Sequence, residues 1–287
     1  DGKQGGYAGI GNRPRAYLWS GSATGGVDLD PMIPDTDGSY VYGCNDGQQV
    51  GGLFGTLGQR AALWTGTAGS YVSLEPPGAQ DSLALACRAG QQAGTASYFN
   101  GIYDEWHAVK WSGSAASVVD LNPGSGYESQ ALGISDTQQV GWAVHNGGFN
   151  HAALWSGSAG SFVDLHPTEE LRSTAYAVWG GMQAGEKSVD AEIQHACVWT
   201  GTALSVQDLH VLLPGEIYFF STARGIWKSG TTTYVVGFAG NQATGMDDAI
   251  LWVHTADGVT ISGHVNTNGA RTLTSLDVEF RAHGSTT

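Results

Sequence analysis

An all-β, six-bladed β-propeller of four-stranded blades is the fold this sequence predicts, and three observations predict it. One motif recurs six times, ending in Trp19, Trp64, Trp111, Trp155, Trp199 and Trp252, at spacings of 45, 47, 44, 44 and 53. Each interval carries short strand-forming runs broken by small, glycine-rich segments. Helical periodicity is nearly absent. Four short strands in a repeat of this length are the arithmetic of a propeller blade, because one small sheet cannot bury both its faces alone.

The elements follow in a fixed order. Each unit opens with a Ser five residues before a Cys, Ile or Val: Ser39 before Cys44, Ser82 before Cys87, Ser129 before Ile134, Ser173 before Val178 and Ser221 before Ile226. Its small neighbours, such as Ala131, Gly133, Ala175 and Ala177, suit an innermost strand where blades converge. A second strand follows around Gln49-Val50-Gly51, Gln92-Ala93-Gly94, Gln139-Val140-Gly141, Gln183-Ala184-Gly185 and Val235-Val236-Gly237. The third strand ends at the repeat Trp, and Ser/Thr-Gly-Ser/Thr-Ala after five of them marks a tight hairpin. The fourth ends at Val27-Asp28-Leu29 and its equivalents, with Pro soon after in several copies.

The whole chain, 1–287, reads as one propeller domain. Lys3–Tyr7 corresponds to a second strand, so the first blade lacks its inner strand at this end. Residues 266–280 are the candidate closing strand, although Asp277 and Glu279 fall where other copies are small or apolar. Closure within the chain is the expectation; the same strand would drive self-association if it completed a second molecule.

Twelve Lys and Arg against 26 Asp and Glu give a net charge of −14, which repels a phosphate backbone and excludes nucleic acid as the expected partner. No apolar run approaches the roughly 20 residues that span a bilayer, so membrane insertion is not expected. A start at Asp1 reads as a processed or trimmed chain. Three cysteines cannot all pair with one another; buried thiols are the expectation for Cys44, Cys87 and Cys197, with a Cys44–Cys87 disulfide as the alternative, since these two occupy equivalent positions on adjacent inner strands.

The stretch Ser129-Gln-Ala-Leu-Gly-Ile-Ser-Asp-Thr-Gln-Gln-Val-Gly141, then His151-Ala-Ala-Leu-Trp155 and Asp164-Leu165, resembles the HAF-repeat family of predicted bacterial extracellular proteins. The resemblance covers almost the whole chain. It departs from the family pattern where Val, Ala or Cys replaces the Phe of His-Ala-Phe, and where Arg15, Arg60 or Asp248 replaces the His. It implies an exported or cell-surface location and names no activity.

Residues repeated with the blade serve the scaffold first, which applies to His107, His151 and His195, the repeated Asp series and the Gln pairs. Function is sought where the repeat breaks. The longest loop between second and third strands carries Tyr98, Tyr103 and Trp106, and the next blade adds Glu128, Trp142 and His145. Aromatics rimmed by acids suit a sugar, whose apolar face stacks while its hydroxyls hydrogen-bond. The expected function is therefore a non-enzymatic extracellular binding or assembly module, with a polysaccharide or cell-surface glycan as the leading partner. One alternative is a polysaccharide lyase using Tyr103, Lys110, His145 and Arg172 for proton transfer and charge neutralisation. Another is a structural subunit of a surface layer or filament. No cofactor is expected; Asp35 and Asp37 form a weak Ca²⁺ candidate in a turn.

Overall fold

Six successive groups of antiparallel strands account for nearly all the regular structure in the computed structural model, which describes residues 2–56, 58–188, 190, 193–255 and 258–263. The first group is β1 (Gln4–Ile10), β2 (Arg13–Trp19) and β3 (Val27–Asp28); the second is β4 (Thr36–Asn45), β5 (Gln48–Gly55), β6 (Gly58–Trp64) and β7 (Val72–Ser73). The third is β8 (Asp81–Arg88), β9 (Gln91–Phe99), β10 (Asp104–Trp111) and β11 (Val119–Asp120). Next come β12 (Tyr127–Ile134), β13 (Gln139–His145), β14 (His151–Trp155) and β15 (Val163–Asp164). The fifth comprises β16 (Ser173–Trp179), β17 (Met182–Ser188), β18 (Gln194–Trp199) and β19 (Gln207–Asp208), and the sixth β20 (Tyr218–Ser229), β21 (Thr232–Asn241), β22 (Met246–Thr255) and β23 (Gly258–Gly263).

The chain packs as two compact units. One comprises Asp1–Gly148 with Trp155–Phe162, the other Phe149–Leu154 with Val163–Thr287. In a repeat architecture each sheet packs mainly on its sequence neighbours, so no single core needs to run through the chain. In the first unit Val50, Leu63, Leu74, Ala84, Val109 and Trp111 pack together. In the second, Val198, Leu209, Ile226, Val235, Ile250 and Trp252 do so.

The repeated polar residues tie these sheets together. A serine on each inner strand accepts the backbone N–H of a third strand: Ser39 from Ala16 at 2.9 Å, Ser82 from Ala61 at 3.0 Å, and Ser129 from Ala108 at 3.0 Å. Ser173 and Ser221 do the same for Ala152 and Ala196 in the second unit. The buried Gln49, Gln92, Gln139 and Gln183 each accept the N–H of the glycine after a repeat Trp, at 2.7–2.9 Å. These bonds satisfy backbone donors in the hairpin turns, which explains why a polar residue sits inside each sheet. The turns themselves contain a short 3-10 segment, such as Ala115–Ser117, and the strand that follows is only two residues long in the first five groups.

Each inner strand from β4 onward also carries a bulge, as between Ala131 and Gly133. The second-strand glycine faces it. A Cβ on Gly141 would lie 1.8 Å from the Gln130 carbonyl oxygen, and one on Gly185 would lie 1.9 Å from that of Thr174.

The first group holds three described strands, in the order β1-β2-β3. The candidate closing strand, 266–280, lies outside the described residues. Cys44, Cys87 and Cys197 are free thiols; Cys44 is half-buried rather than fully buried, and burial pushes the Cys87 thiol up to about 12. Among the described residues no helix is long and apolar enough to cross a membrane.

Candidate functional site

The repeat histidines act as clamps. His107, His151 and His195 each place Nδ1 2.8 Å from Oδ2 of Asp120, Asp164 and Asp208 respectively. The other oxygen of each aspartate accepts the backbone N–H two residues on, at Asn122, His166 and His210. Arg15 replaces the histidine in the first repeat and holds Asp28 at 2.9 Å, with Asp28 again capping two residues ahead. One carboxylate thus fixes the third strand to the turn after the fourth.

Two serine–histidine pairs have the spacing of a nucleophile and its base, and their bonding assigns them elsewhere. His166 Nε2 lies 2.9 Å from the Glu170 carbonyl and its Nδ1 2.9 Å from Ser173 Oγ. The carbonyl requires an N–H at Nε2, so Nδ1 accepts the Ser173 hydroxyl, whose oxygen already accepts the Ala152 N–H. Ser221 likewise accepts the Ala196 N–H and lies 2.9 Å from His210 Nδ1. Ser173 is 1% exposed and Ser221 fully buried, so neither oxygen is open to a substrate. Asn122 takes this position in the third repeat and accepts the Ser129 hydroxyl.

This arrangement sets a pH dependence. Burial, with the neighbouring His195, lowers the His210 pKa to about 4, and burial with His151 lowers that of His166. An unfolded imidazole takes its proton near 6.5. The unfolded chain therefore binds more protons between these values, and the stability from His210 is full above about pH 6.5 and lost as pH falls towards 4. The loss amounts to about 2–3 kcal/mol. His107 works in the opposite sense: burial pulls its pKa down, but the Asp120 hydrogen bond and the charges of Asp120 and Glu105 raise it overall. A thermal melt series from pH 7 to pH 4 is expected to show a falling Tm, flattened in His166→Asn/His210→Asn; an identical acid slope in that variant contradicts the assignment.

A polar cavity of the second unit opens at one end of the β16–β17 pair. It has a volume of about 330 Å³ and is lined by Asn150, Arg172, Ser173, Thr174, Tyr176, Glu186, Ser188 and Gln194. Arg172 and Ser188 close the strand end, the Arg172 N–H donating to Ser188 Oγ and the Ser188 N–H to the Arg172 carbonyl, both at 2.9 Å. Glu186 faces Thr174 across the pair. Its Oε1 accepts the Tyr176 hydroxyl at 2.9 Å and its Oε2 the Thr222 hydroxyl at 2.8 Å. Burial first, and then the Glu186 charge, push the Tyr176 phenol far up, so it remains a neutral donor. The Arg224 guanidinium stacks 3.9 Å from the centre of the Tyr176 ring and braces it from outside the cavity lining. A carboxylate with spare acceptor capacity, a guanidinium and several hydroxyls and amides suit a small ligand with both donors and acceptors.

The sequence-predicted residues are distributed differently from the expectation. Of them, Arg172 alone lines this cavity. The register pairs Tyr98 with Glu105 and Trp106 with Ser97, which puts Tyr98 and Trp106 on opposite faces of their sheet. Likewise Trp142 pairs with Gln130 and His145 with Tyr127, so Trp142 and His145 point to opposite faces. Tyr98 packs on His107 at 5.3 Å, and His145 on Tyr127 at 4.5 Å. Glu128 is half-buried opposite Val144, Tyr103 is exposed in its loop, and Lys110 lies on β10 opposite Ala93 and Val119. Asp35 and Asp37 belong to no metal-holding group: among the described residues no three His, Cys, Asp or Glu side chains come together in one. Sequence reasoning missed Tyr176 and Glu186. The signal was present, because Glu186-Lys187 follows Gly185 where other copies carry small or apolar residues.

No protein-family model matches the sequence, and a search of curated proteins gives no match. Solved structures do match. The crystal structure of a puromycin hydrolase S511A mutant complexed with PGG aligns with a TM-score of 0.59 at 14% identity, over 88% of this chain and 44% of that one. A structure from a study of two prolyl endopeptidases aligns at 0.56 and 9% identity, over 98% of this chain and 49% of that one. A Mycobacterium tuberculosis puromycin-hydrolyzing peptidase aligns at 0.55 and 17% identity, over 91% and 45%. The chain thus spans about half the length of these proteins, and the part it matches is their propeller domain. The expectation of a carbohydrate-binding or assembly module, with its lyase and surface-layer alternatives, is corrected by these neighbours, which are peptidases. The geometry gives the physical reason: the aromatics meant to form one sugar platform are split between sheet faces. The fold is all-β and propeller-like, of the kind found in these peptidases.

Proposed function

We propose that the chain is a peptidase-type propeller module, and that its charged cavity binds short peptides without cutting them. The alignment of 88–98% of the chain with three peptidase structures is the observation that carries this reading. The cavity supports it, since Glu186 suits an ammonium group while the hydroxyl and amide groups suit peptide bonds. Ser173 and Ser221 are not assigned as nucleophiles, because scaffold groups engage their hydroxyls. Titration of triglycine into the protein is expected to give saturable one-to-one binding, weakened at least about tenfold in Glu186→Gln by loss of a charged hydrogen bond. Absence of binding, or release of free glycine, overturns the reading.

The same proposal includes six blades in a ring closed by residues 266–280, and, from the HAF-type repeats, an exported location. Closure is supported by the three-stranded first group, in which β1 has a described partner only in β2. Deleting 266–287 is expected to lower Tm and to produce oligomers by light scattering, as an unpaired edge recruits other chains. An unchanged monomer with unchanged Tm contradicts closure.

A further inference from the structure

The first unit contains a second concave surface of different chemistry. A cavity of about 510 Å³ is lined by Pro14, Asp37, Gly38, Tyr40, Tyr42 and Phe54. Its walls are organised aromatic rings. Tyr40 and Tyr42, two residues apart on β4, stack at 6.2 Å with an 11° interplanar angle. Phe54 meets Tyr40 edge-on at 5.0 Å, and Tyr7 from β1 meets it edge-on at 4.8 Å. Gly38 brings β2 against this wall, since a Cβ there would lie 2.7 Å from Pro14 Cγ. Tyr7 and Tyr42 are 59% and 50% exposed, an uncommon exposure for packed rings.

The charges around this surface have one sign. Arg13 is bound to Asp30 at 2.9 Å and Arg15 to Asp28 at 2.9 Å, so the nearby cations of β2 are neutralised. The carboxylates of Asp35 and Asp37, in the adjoining turn and on the rim, have no hydrogen bond or ion pair among the described residues. Aromatic faces attract a cation by their quadrupole, and an unpaired carboxylate adds a direct charge. The chain's net charge of −14 extends the same attraction to longer range.

We infer that this aromatic cavity holds the guanidinium side chain of an arginine in a basic peptide, between the Tyr40–Tyr42 wall and Asp37. The inference rests on the peptide-binding reading for its ligand class, but it concerns a different site. Arginine fits better than lysine because its planar, weakly hydrated head stacks on rings and pairs with a carboxylate at once.

The test compares Gly-Arg-Gly amide with its neutral isostere Gly-citrulline-Gly amide by calorimetric titration into the whole chain. The arginine peptide is expected to bind about tenfold or more tightly. Asp37→Asn and Tyr42→Leu should remove that preference, whereas Tyr42→Phe keeps it and Glu186→Gln keeps the ratio. Melting curves confirm that each variant is folded; Tyr42 and Asp37 are exposed enough to tolerate replacement. Equal binding of the two peptides, or a preference untouched by Asp37→Asn, overturns the inference and leaves the triglycine result standing. N-acetyl-arginine amide, which carries no free amine for Glu186, separates the two sites. Binding of this probe that depends on Asp37 supports the aromatic site even if triglycine fails, and no binding to wild type overturns it.

Discussion

Replacing Gly141 by alanine is expected to cost at least about 3 kcal/mol, at the upper end of overpacking effects. The added methyl would sit 1.8 Å from the Gln130 carbonyl oxygen and 3.1 Å from the Ala131 Cα, so the obstruction is backbone that no rotamer change can move. The bulge at Ala131 and Gly133 exists at that height in the strand, and relieving the clash means unpairing β12 from β13. In melting temperature the loss corresponds to roughly 10 °C for a chain of this size. Gly160 provides the control. It has open space where a Cβ would go, and Gly160→Ala is expected to change stability by less than about 0.5 kcal/mol. Denaturant titration of the pair measures the contrast; equal effects would show that the bulge–glycine contact is unimportant.

Lys187→Met is expected to be comparably severe. The ammonium lies 2.6 Å from Glu170 Oε1 and 3.3 Å from Asp208 Oδ2, and its side chain is 11% exposed. Burial opposes the charge of Lys187, yet Glu170 and Asp208 raise its pKa overall. Asp208 has the converse balance: burial would raise its pKa, and His195 and Lys187 lower it. Removing the cation leaves two largely buried carboxylates, Asp208 with His195 and the His210 backbone N–H and Glu170 without its lysine, and breaking such a group typically costs 3–5 kcal/mol. Lys187→Met combined with Glu170→Leu should recover part of this, because the apolar replacement removes one orphaned charge as well. A double variant as unstable as the single one would place the cost in packing instead.

The periodic part of the fold was legible because it is written several times. Six tryptophans at near-constant spacing, the Gln before Val-Gly or Ala-Gly, and the leading Ser each solve the same local problem in successive sheets. The structure explains the Gln as a turn acceptor and the Ser as an inter-sheet acceptor, and buries Trp64, Trp111, Trp155, Trp199 and Trp252. The unit boundary within the fourth repeat was not legible, since the motif runs through it unchanged. The site was harder. Single-copy aromatics were grouped by closeness in sequence, but a strand sends neighbours to opposite faces, which separated Tyr98 from Trp106 and Trp142 from His145. Glu186 and Tyr176 meet across a β-bulge, and a bulge shifts register in a way spacing does not announce. The Tyr40–Tyr42 wall was likewise hidden, because its partners Tyr7 and Phe54 come from β1 and β5.

Isothermal titration of triglycine into the protein and into Glu186→Gln tests the peptide-module account most directly. Saturable binding with unit stoichiometry, weakened about tenfold or more when the carboxylate is neutralised, is the predicted result. A wild-type protein that takes up no peptide, or a Glu186→Gln variant that binds it equally well, contradicts the account.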